Sequence, residues 1–206
     1  MEKTWKDEIV NKFLVLCLVE SGVRLGDTKL QKFAYLTQFD LTRKGIKALN
    51  FDFIKMPYGP FSPGLKDDVE SLVNCHAVTQ YAHRSTLFGK RILKNFGHLK
   101  VDNRSIIESV KDINEKYMAL ERDELVVLVH EMTNPLRPWL TIDKTPHGTY
   151  LLKKMETWND EFKLSMNDLA SLEIYFDPLK YLSLRRSLEE AKTCAAVNIQ
   201  DVPEFA

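Results

Sequence analysis

Histidine and cysteine are the side chains of this chain with the widest chemical repertoire, since they bind metals and act in acid–base and nucleophilic catalysis. Four of the five histidines share no metal-ligand spacing with one another or with a cysteine: His76, His83, His98 and His147. The three cysteines lie far apart and form no CxxC pair: Cys17, Cys75 and Cys194. We therefore predict that the chain has no metal site.

The sequence also lacks the motifs of nucleophilic catalysis and of phosphate binding. No serine stands in a GxSxG context, and no GxxxxGK[ST] loop is present. Asp67, Asp68 and Glu70 cluster on one predicted helix, where a solvated acidic face is the simpler interpretation. The chain is thus expected to be neither an enzyme nor a cofactor-binding protein.

The remaining histidine, His130, follows the apolar pair Leu128-Val129 on a predicted helix. A helical wheel places it about 140° from Leu125, off the main apolar face. From there it could hydrogen-bond the proline-rich segment 134–148, which carries Trp139 and is predicted to wrap over the core. We prefer this structural role to a catalytic or metal-binding one.

Composition limits the class of protein. Hydrophobic residues make up 44% of the 206 residues, which is enough to form a buried core. Lys plus Arg equals Asp plus Glu at 29 each, so a nucleic-acid role would need a local basic patch. No signal peptide is recognisable, and the apolar run Phe13–Val19 is far shorter than the roughly 20 residues of a membrane span. These features favour a cytoplasmic protein with no membrane contact.

Periodicity predicts a mainly α fold with a small antiparallel β element, that is, an α+β fold with a helical core and a winged-helix-like hairpin. Helices are expected at about 5–20, 27–44, 63–74, 103–120, 122–132 and 177–192. A strand is expected over 51–56 and a hairpin over 77–96. We divide the chain into a core domain, residues 1–155, and a C-terminal helical extension, residues 156–206, with a flexible tail over Thr193–Ala206.

Three segments, in order, resemble motifs of the Panacea family of antitoxins. The first is similar to the family's KLQKLLY-type helix and includes Lys29, Leu30, Gln31, Lys32 and Tyr35. The second follows a predicted strand and also occurs in YwgA-like proteins: Tyr58, Gly59 and Pro60.

The third segment is Leu128-Val129-His130 with Pro138 and Trp139 after it, similar to the family's L-T-H…P-W element. Val129 stands where the family usually has threonine. The resemblance covers about residues 1–140 and implies a non-catalytic helical scaffold, the Panacea-like core domain. Its function would be to bind and neutralise a cognate toxin protein, encoded by an adjacent gene.

The resemblance also implies that a variable surface or tail selects the partner. Ser165–Lys192 is the leading candidate, with four possible partner-binding residues: Tyr181, Leu184, Arg185 and Leu188. The alternative is that this segment only packs on the core. A phage or mobile-element accessory protein on the same fold remains a further alternative, and the oligomeric state is open.

A winged-helix-like transcriptional regulator that binds DNA is the main rival. It is motivated by a possible basic patch on the predicted hairpin: Arg84, Lys90, Arg91 and Lys94. The helix that would read the major groove is Pro63–Asn74, which carries Asp67, Asp68 and Glu70 against Lys66 alone. Because carboxylates repel phosphates, nucleic acid is possible but disfavoured as a partner.

Overall fold

The computed structural model describes residues 5–20 and 25–195, and it has a mainly α-helical, α+β fold, as predicted. The helices in this part of the chain are α1 Trp5–Leu18, α2 Asp27–Arg43, α3 Pro63–Asn74, α4 Leu87–Asn95, α5 Gly97–Asp102, α6 Arg104–Tyr117, α7 Arg122–Glu131, α8 Met166–Phe176 and α9 Pro178–Ala195. The strands are β1 Ile46–Lys47, β2 Phe53–Met56, β3 Gly59–Phe61, β4 Thr133–Asn134, β5 Arg137–Thr141, β6 Tyr150–Leu152 and β7 Asp160–Glu161. None of the described helices is long and apolar enough to cross a membrane.

Helix α1 lies at the centre of the core. Every residue from Ile9 to Leu18 is buried, because α2, α3, α4, α6 and α8 all contact this helix. A helix buried on all sides needs apolar residues around its whole circumference, and the run Phe13–Leu18 supplies them. The sequence pattern had suggested a single buried face.

Helix α2 fixes the neighbouring chain through two buried glutamines. The Gln38 side chain accepts from the Phe51 amide at 2.8 Å and donates to the Phe51 carbonyl at 2.7 Å. Gln31 makes the same pair of bonds with Ser62, at 2.8 and 3.1 Å. The N-cap of α2 is Gly26, which supplies no side-chain cap.

The largest sheet has the order β3-β2-β6 and is antiparallel. Met56 pairs with Gly59, so Pro57 and Tyr58 form the tip of the β2–β3 hairpin. After β3, Ser62 caps α3 by accepting from the Leu65 amide at 3.3 Å, and Pro63 occupies its first turn, as predicted. The hairpin and α3 are therefore one continuous unit, which Gln31 ties to α2.

The predicted hairpin over 77–96 is wrong. An isolated bridge joins Val78 to Ser85, and the residues from Leu87 onward form α4, so this segment carries no winged-helix-like hairpin. Thr86 caps the helix by accepting from the Gly89 amide at 3.1 Å. The apolar residues in this stretch have helical rather than alternating spacing: Phe88, Ile92, Leu93 and Phe96.

Residues 160–176 share the core of α1. Strand β7 pairs in parallel with β1, and Phe162 packs edge-on against Phe13 with ring centroids 5.8 Å apart. Helix α8 buries Leu169, Leu172 and Phe176 in the same core. Independent folding of residues 1–155 stays a prediction. Of the tail expected to be flexible, residues 196–206 lie outside the described residues.

Candidate partner-binding groove and motif cluster

Residues from the three motif segments meet Lys55 of β2 at the β2–β3 hairpin. We call this set the motif cluster: Gln31, Lys32, Lys55, Gly59, Pro60 and His130. Gln31 holds Ser62, and the buried Lys32 side chain donates to the Pro60 carbonyl at 3.0 Å. Helix α7 contacts β3 and brings His130 against Gly59. Segments about 30 and 70 residues apart in the chain thus share one contact region.

His130 connects the hairpin to the proline-rich segment. Its Nε2 atom lies 3.2 Å from Nζ of Lys55, and its Nδ1 atom lies 3.3 Å from a carboxylate oxygen of Asp143. When Lys55 is charged it donates to Nε2, and the ring proton then belongs on Nδ1, facing Asp143. His130 therefore contacts the proline-rich segment 134–148, as predicted, through Asp143, which lies two residues after β5.

Burial lowers the pKa of the basic groups in the motif cluster. The Lys32 side chain is only 2% exposed, and its pKa falls to about 8 because burial and the nearby Lys55 disfavour its charge. Burial also lowers the pKa of Lys55, with Asp143 opposing the change. The pKa of His130 is lowered by burial first and by Lys55 second.

Gly59 is the residue that allows the close approach. Its φ is +91°, and a Cβ atom built there would stand 3.1 Å from Cδ2 of His130 and 3.4 Å from Cε of Lys32. Side chains rarely adopt this backbone conformation. The turn therefore requires glycine for its shape and for the space taken by its neighbours.

The other motif residues do not join the cluster. Lys29 donates to the carbonyls of Met118 and Leu120 at the end of α6, at 3.2 and 2.7 Å. Leu30 is buried in the core, and so is the ring of Tyr35, which stacks against Phe39. Tyr58 is exposed at the hairpin tip.

Trp139 lies at the surface and is 77% exposed, and Pro138 beside it is also exposed. The proline-rich segment covers the core at Ile142, which is fully buried, but the predicted core contact near Trp139 is wrong. Residues 133–141 instead form the small β4–β5 hairpin, in which Thr133 pairs with Thr141. The Asn134 side chain donates to the Thr145 hydroxyl at 3.1 Å, which ties this hairpin to the residues that follow it.

The contacts of the motif cluster hold backbone segments together. Lys32 and Gln31 both donate to main-chain carbonyls, and the His130 ring lies between Lys55 and Asp143. Within residues 5–20 and 25–195, no group of three or more His, Cys, Asp and Glu side chains could hold a metal ion.

A second site, which we call the α4–α9 groove, lies between α4, the end of α8 and the start of α9. Three aromatic rings line its floor, Phe88, Tyr175 and Tyr181, and the buried Phe96 packs against Tyr175. Tyr181 packs edge-on against Phe88 with centroids 5.0 Å apart, and Tyr175 lies 5.7 Å from Phe96. A cavity of about 360 Å³ opens above these rings, with Arg91, Leu182 and Arg185 at its sides.

Beyond this floor, α9 leaves the body of the protein. Every residue from Leu182 to Lys192 is exposed, including three leucines: Leu182 at 58%, Leu184 at 45% and Leu188 at 54%. The predicted i,i+4 ion pairs are present, Arg185 with Glu189 at 3.1 Å and Arg186 with Glu190 at 2.9 Å. In α9, Pro178 and Tyr181 are half-buried, and every other described side chain, including Leu179, is exposed.

The basic residues predicted for a hairpin lie on the exposed face of α4 instead. Lys90, Arg91 and Lys94 share this face, and none of them forms an ion pair with a described residue. Arg84 lies in the loop before the helix.

Arg91 lines the same cavity as Tyr181 and Arg185, which the sequence had assigned to a separate partner-binding element. Phe88 and Tyr175 complete the site and were missed, although the four-residue step from Phe88 to Ile92 indicated a helix.

Comparison of the chain with protein-family models, with curated proteins and with solved structures finds no match. The likeness to Panacea antitoxins thus depends on the motif residues quoted above.

Proposed function

We propose that this chain is an antitoxin-like protein, without catalytic activity, that binds a cognate toxin by direct contact and neutralises it. The observation that carries the proposal is the α4–α9 groove, an apolar and basic surface formed by elements outside the motif cluster. The resemblance to Panacea antitoxins supports it, since that family combines a shared scaffold with a variable partner surface.

A partner that packs against the exposed part of α9 would stabilise this helix. Isolated helices of this length are marginally stable in water, and most helices are stabilised by packing of their apolar face. Burying apolar surface contributes about 25 cal/mol per Å². A partner that covers Leu184 and Leu188 would therefore stabilise both the complex and the helix.

The motif cluster has a different role in this proposal. Lys32, Gln31 and His130 hold the β2–β3 hairpin to α2 and α7, which are parts of the scaffold. None of these residues lines the α4–α9 cavity. The scaffold motifs and the partner-selecting surface are thus carried by different residues, and each can be changed while the other is kept.

Co-expression with the adjacent gene tests the proposal. A tagged full-length chain should co-purify the neighbouring gene product at a fixed molar ratio, and that product should arrest growth when it is expressed alone. Leu184→Glu/Leu188→Glu should abolish rescue, whereas Val127→Glu, at an exposed valine of α7, should rescue growth fully. A harmless neighbour that does not co-purify would overturn the antitoxin role.

A nucleic-acid-binding regulator is the second candidate, favoured by three basic residues of α4 that have no ion-pair partner in the described part of the chain: Lys90, Arg91 and Lys94. Its predicted wing is not formed, because α4 occupies that segment. A mobility-shift assay on upstream DNA tests it. Binding that weakens steeply with salt and is lost in Lys90→Glu/Lys94→Glu would support this function.

A further inference from the structure

We propose that the α4–α9 groove binds an acidic amphipathic α-helix of the partner, with one bulky apolar side chain of that helix inserted into the cavity. The inference depends on the proposed function to the extent that the partner is a protein. It specifies the chemistry that this protein must present, which the antitoxin role alone leaves open.

The apolar part of the recognition comes from the floor and from one side of α9. The cavity of about 360 Å³ is bounded by aromatic rings and by Leu182, and it has room for a leucine or aromatic side chain. Tyr181, Leu184 and Leu188 follow at i, i+3 and i+7 along α9 and form a ridge next to the cavity. Such spacing matches the apolar stripe of a second helix packed along the first.

The polar part of the recognition is basic. Helices α4 and α9 together carry seven basic residues and two acidic ones, and α4 carries no acid at all. Lys90, Arg91 and Lys94 have no carboxylate partner among the described residues, although the whole chain has no net charge. Arg91 lines the cavity, and Lys90 and Lys94 lie on the same exposed face of α4. Carboxylates on the partner would meet these charges, speed association and select the partner.

The shape of the groove favours a helix over an extended peptide. Its two sides are helices, and no sheet strand borders the cavity, so there is no strand edge for an added strand to pair with. Recognition of an amphipathic helix in an apolar groove depends on side-chain anchors rather than on main-chain hydrogen bonds. The anchors needed here are the bulky side chain in the cavity and the stripe against Leu184 and Leu188.

A second copy of this chain is disfavoured as the occupant. In a two-fold dimer whose axis passes near α4, the basic face of this helix would meet its own counterpart. Lys90, Arg91 and Lys94 would then repel their counterparts, with no acid on α4 to compensate them. An acidic partner removes this repulsion.

The α9 side of the groove disfavours nucleic acid as the partner. Leu184 and Leu188 find no apolar partner on a phosphate backbone, and they lie beside Glu189 and Glu190. Glu189 follows Leu188 directly and would repel phosphates, and Arg185, which lines the cavity, is already paired with it. A partner helix with leucines and glutamates would complement both the exposed leucines of α9 and the basic residues of α4.

Selection from a displayed library of helix-patterned peptides, each of about 18 residues or five turns, tests the inference on the full chain. The library varies charge and anchor side chains independently. We expect enriched peptides to be acidic and to carry a leucine or aromatic anchor. In fluorescence anisotropy, Lys90→Glu/Lys94→Glu should weaken their binding by about tenfold or more, and added salt should also weaken it. The matched control, Lys66→Glu/Lys153→Glu, changes exposed lysines on α3 and after β6 and should leave binding within about twofold.

Four results would overturn the inference. Enriched peptides could be neutral or basic, or bind the charge-reversed variant equally well. The chain could sediment as a dimer that Leu184→Glu/Leu188→Glu dissociates, which would assign the groove to a second copy. RNA could bind while no peptide is enriched. If Lys90→Glu/Lys94→Glu still rescues growth from the toxin, the antitoxin role stands and the proposed binding site is wrong. If acidic peptides bind and the adjacent gene encodes no toxin, the binding site stands without the antitoxin role.

Discussion

Gly59 and His130 are in direct contact: a Cβ atom at Gly59 would stand 3.1 Å from Cδ2 of the imidazole ring. This contact joins the tip of the β2–β3 hairpin to α7, and Lys32 joins the same hairpin to α2 through the Pro60 carbonyl. Two helices far apart in the sequence therefore hold one turn. Lys32 and His130 are both groups whose charge is disfavoured there, which makes the contact sensitive to substitution and to pH.

Alanine at Gly59 should destabilise the fold more than alanine at Gly148. Both glycines have positive φ, +91° and +77°, so both substitutions incur about 1 kcal/mol of backbone strain. A Cβ atom meets nothing within 4 Å at Gly148, but meets His130 at Gly59. We expect Gly59→Ala to lower the free energy of unfolding by about 2–3 kcal/mol in urea titrations. Equal losses at the two sites would show that the His130 contact adds nothing.

Acid should weaken the fold partly through His130. Its pKa in the folded protein lies below the ordinary value of 6.5, so below that pH the unfolded chain takes up the proton more readily. The stability that His130 contributes is present above pH 6.5 and is lost as the pH falls through the lowered pKa. His130→Gln cannot titrate, so its free energy of unfolding should fall less between pH 7 and pH 5 than that of the wild type. Parallel curves for the two proteins in chemical denaturation would contradict this.

Lys32 should make stability depend on alkaline pH. Its folded pKa of about 8 lies below the ordinary 10.5, so the unfolded chain binds more protons between these values. Relative to Lys32→Met, the wild type should gain about 2 kcal/mol of unfolding free energy between pH 7.5 and pH 10. Methionine keeps the apolar stem without the charge. A constant difference across this range would mean that Lys32 keeps an ordinary pKa.

Two truncations should separate the core from the partner surface. Deleting residues 183–206 removes the exposed part of α9 but keeps Tyr181 against Phe88, so the melting temperature should change by about 3 °C or less. Deleting residues 156–206 removes Phe162, Leu172 and Phe176 from the core and should abolish cooperative unfolding. Circular dichroism melts measure both. A cooperative melt from the shorter protein would instead establish residues 1–155 as an independent domain.

Local patterns predicted most of the secondary structure. The apolar run of α1, the alternation of 51–56 and the Ser62-Pro63 start of α3 are local signals, and each element forms where it was expected. The segment 77–96 was misread because Val78, Tyr81 and Phe88 suit a strand, whereas Phe88, Ile92 and Phe96 have helical spacing. Thr86, which caps α4, marked the helix start.

The contacts between elements were less predictable, because they depend on packing. Trp139 was expected near the core and is exposed, since the β4–β5 hairpin turns it outward. Lys55 had no sequence feature to single it out, yet it contacts His130 from the adjacent strand β2. Arg91 and Tyr181 were placed in two separate sites, and only the packing of α9 against α4 and α8 brings them to one cavity.

The most direct test of the antitoxin proposal is a titration of the purified product of the adjacent gene with the full-length chain. We predict that the toxin's activity falls linearly to zero at a fixed molar ratio, that its intact mass is unchanged, and that its activity returns after denaturing separation and refolding. The Leu184→Glu/Leu188→Glu variant should leave the toxin active. Inactivation by a small fraction of an equivalent, with a changed toxin mass, would contradict the proposal and show that the chain acts by turnover.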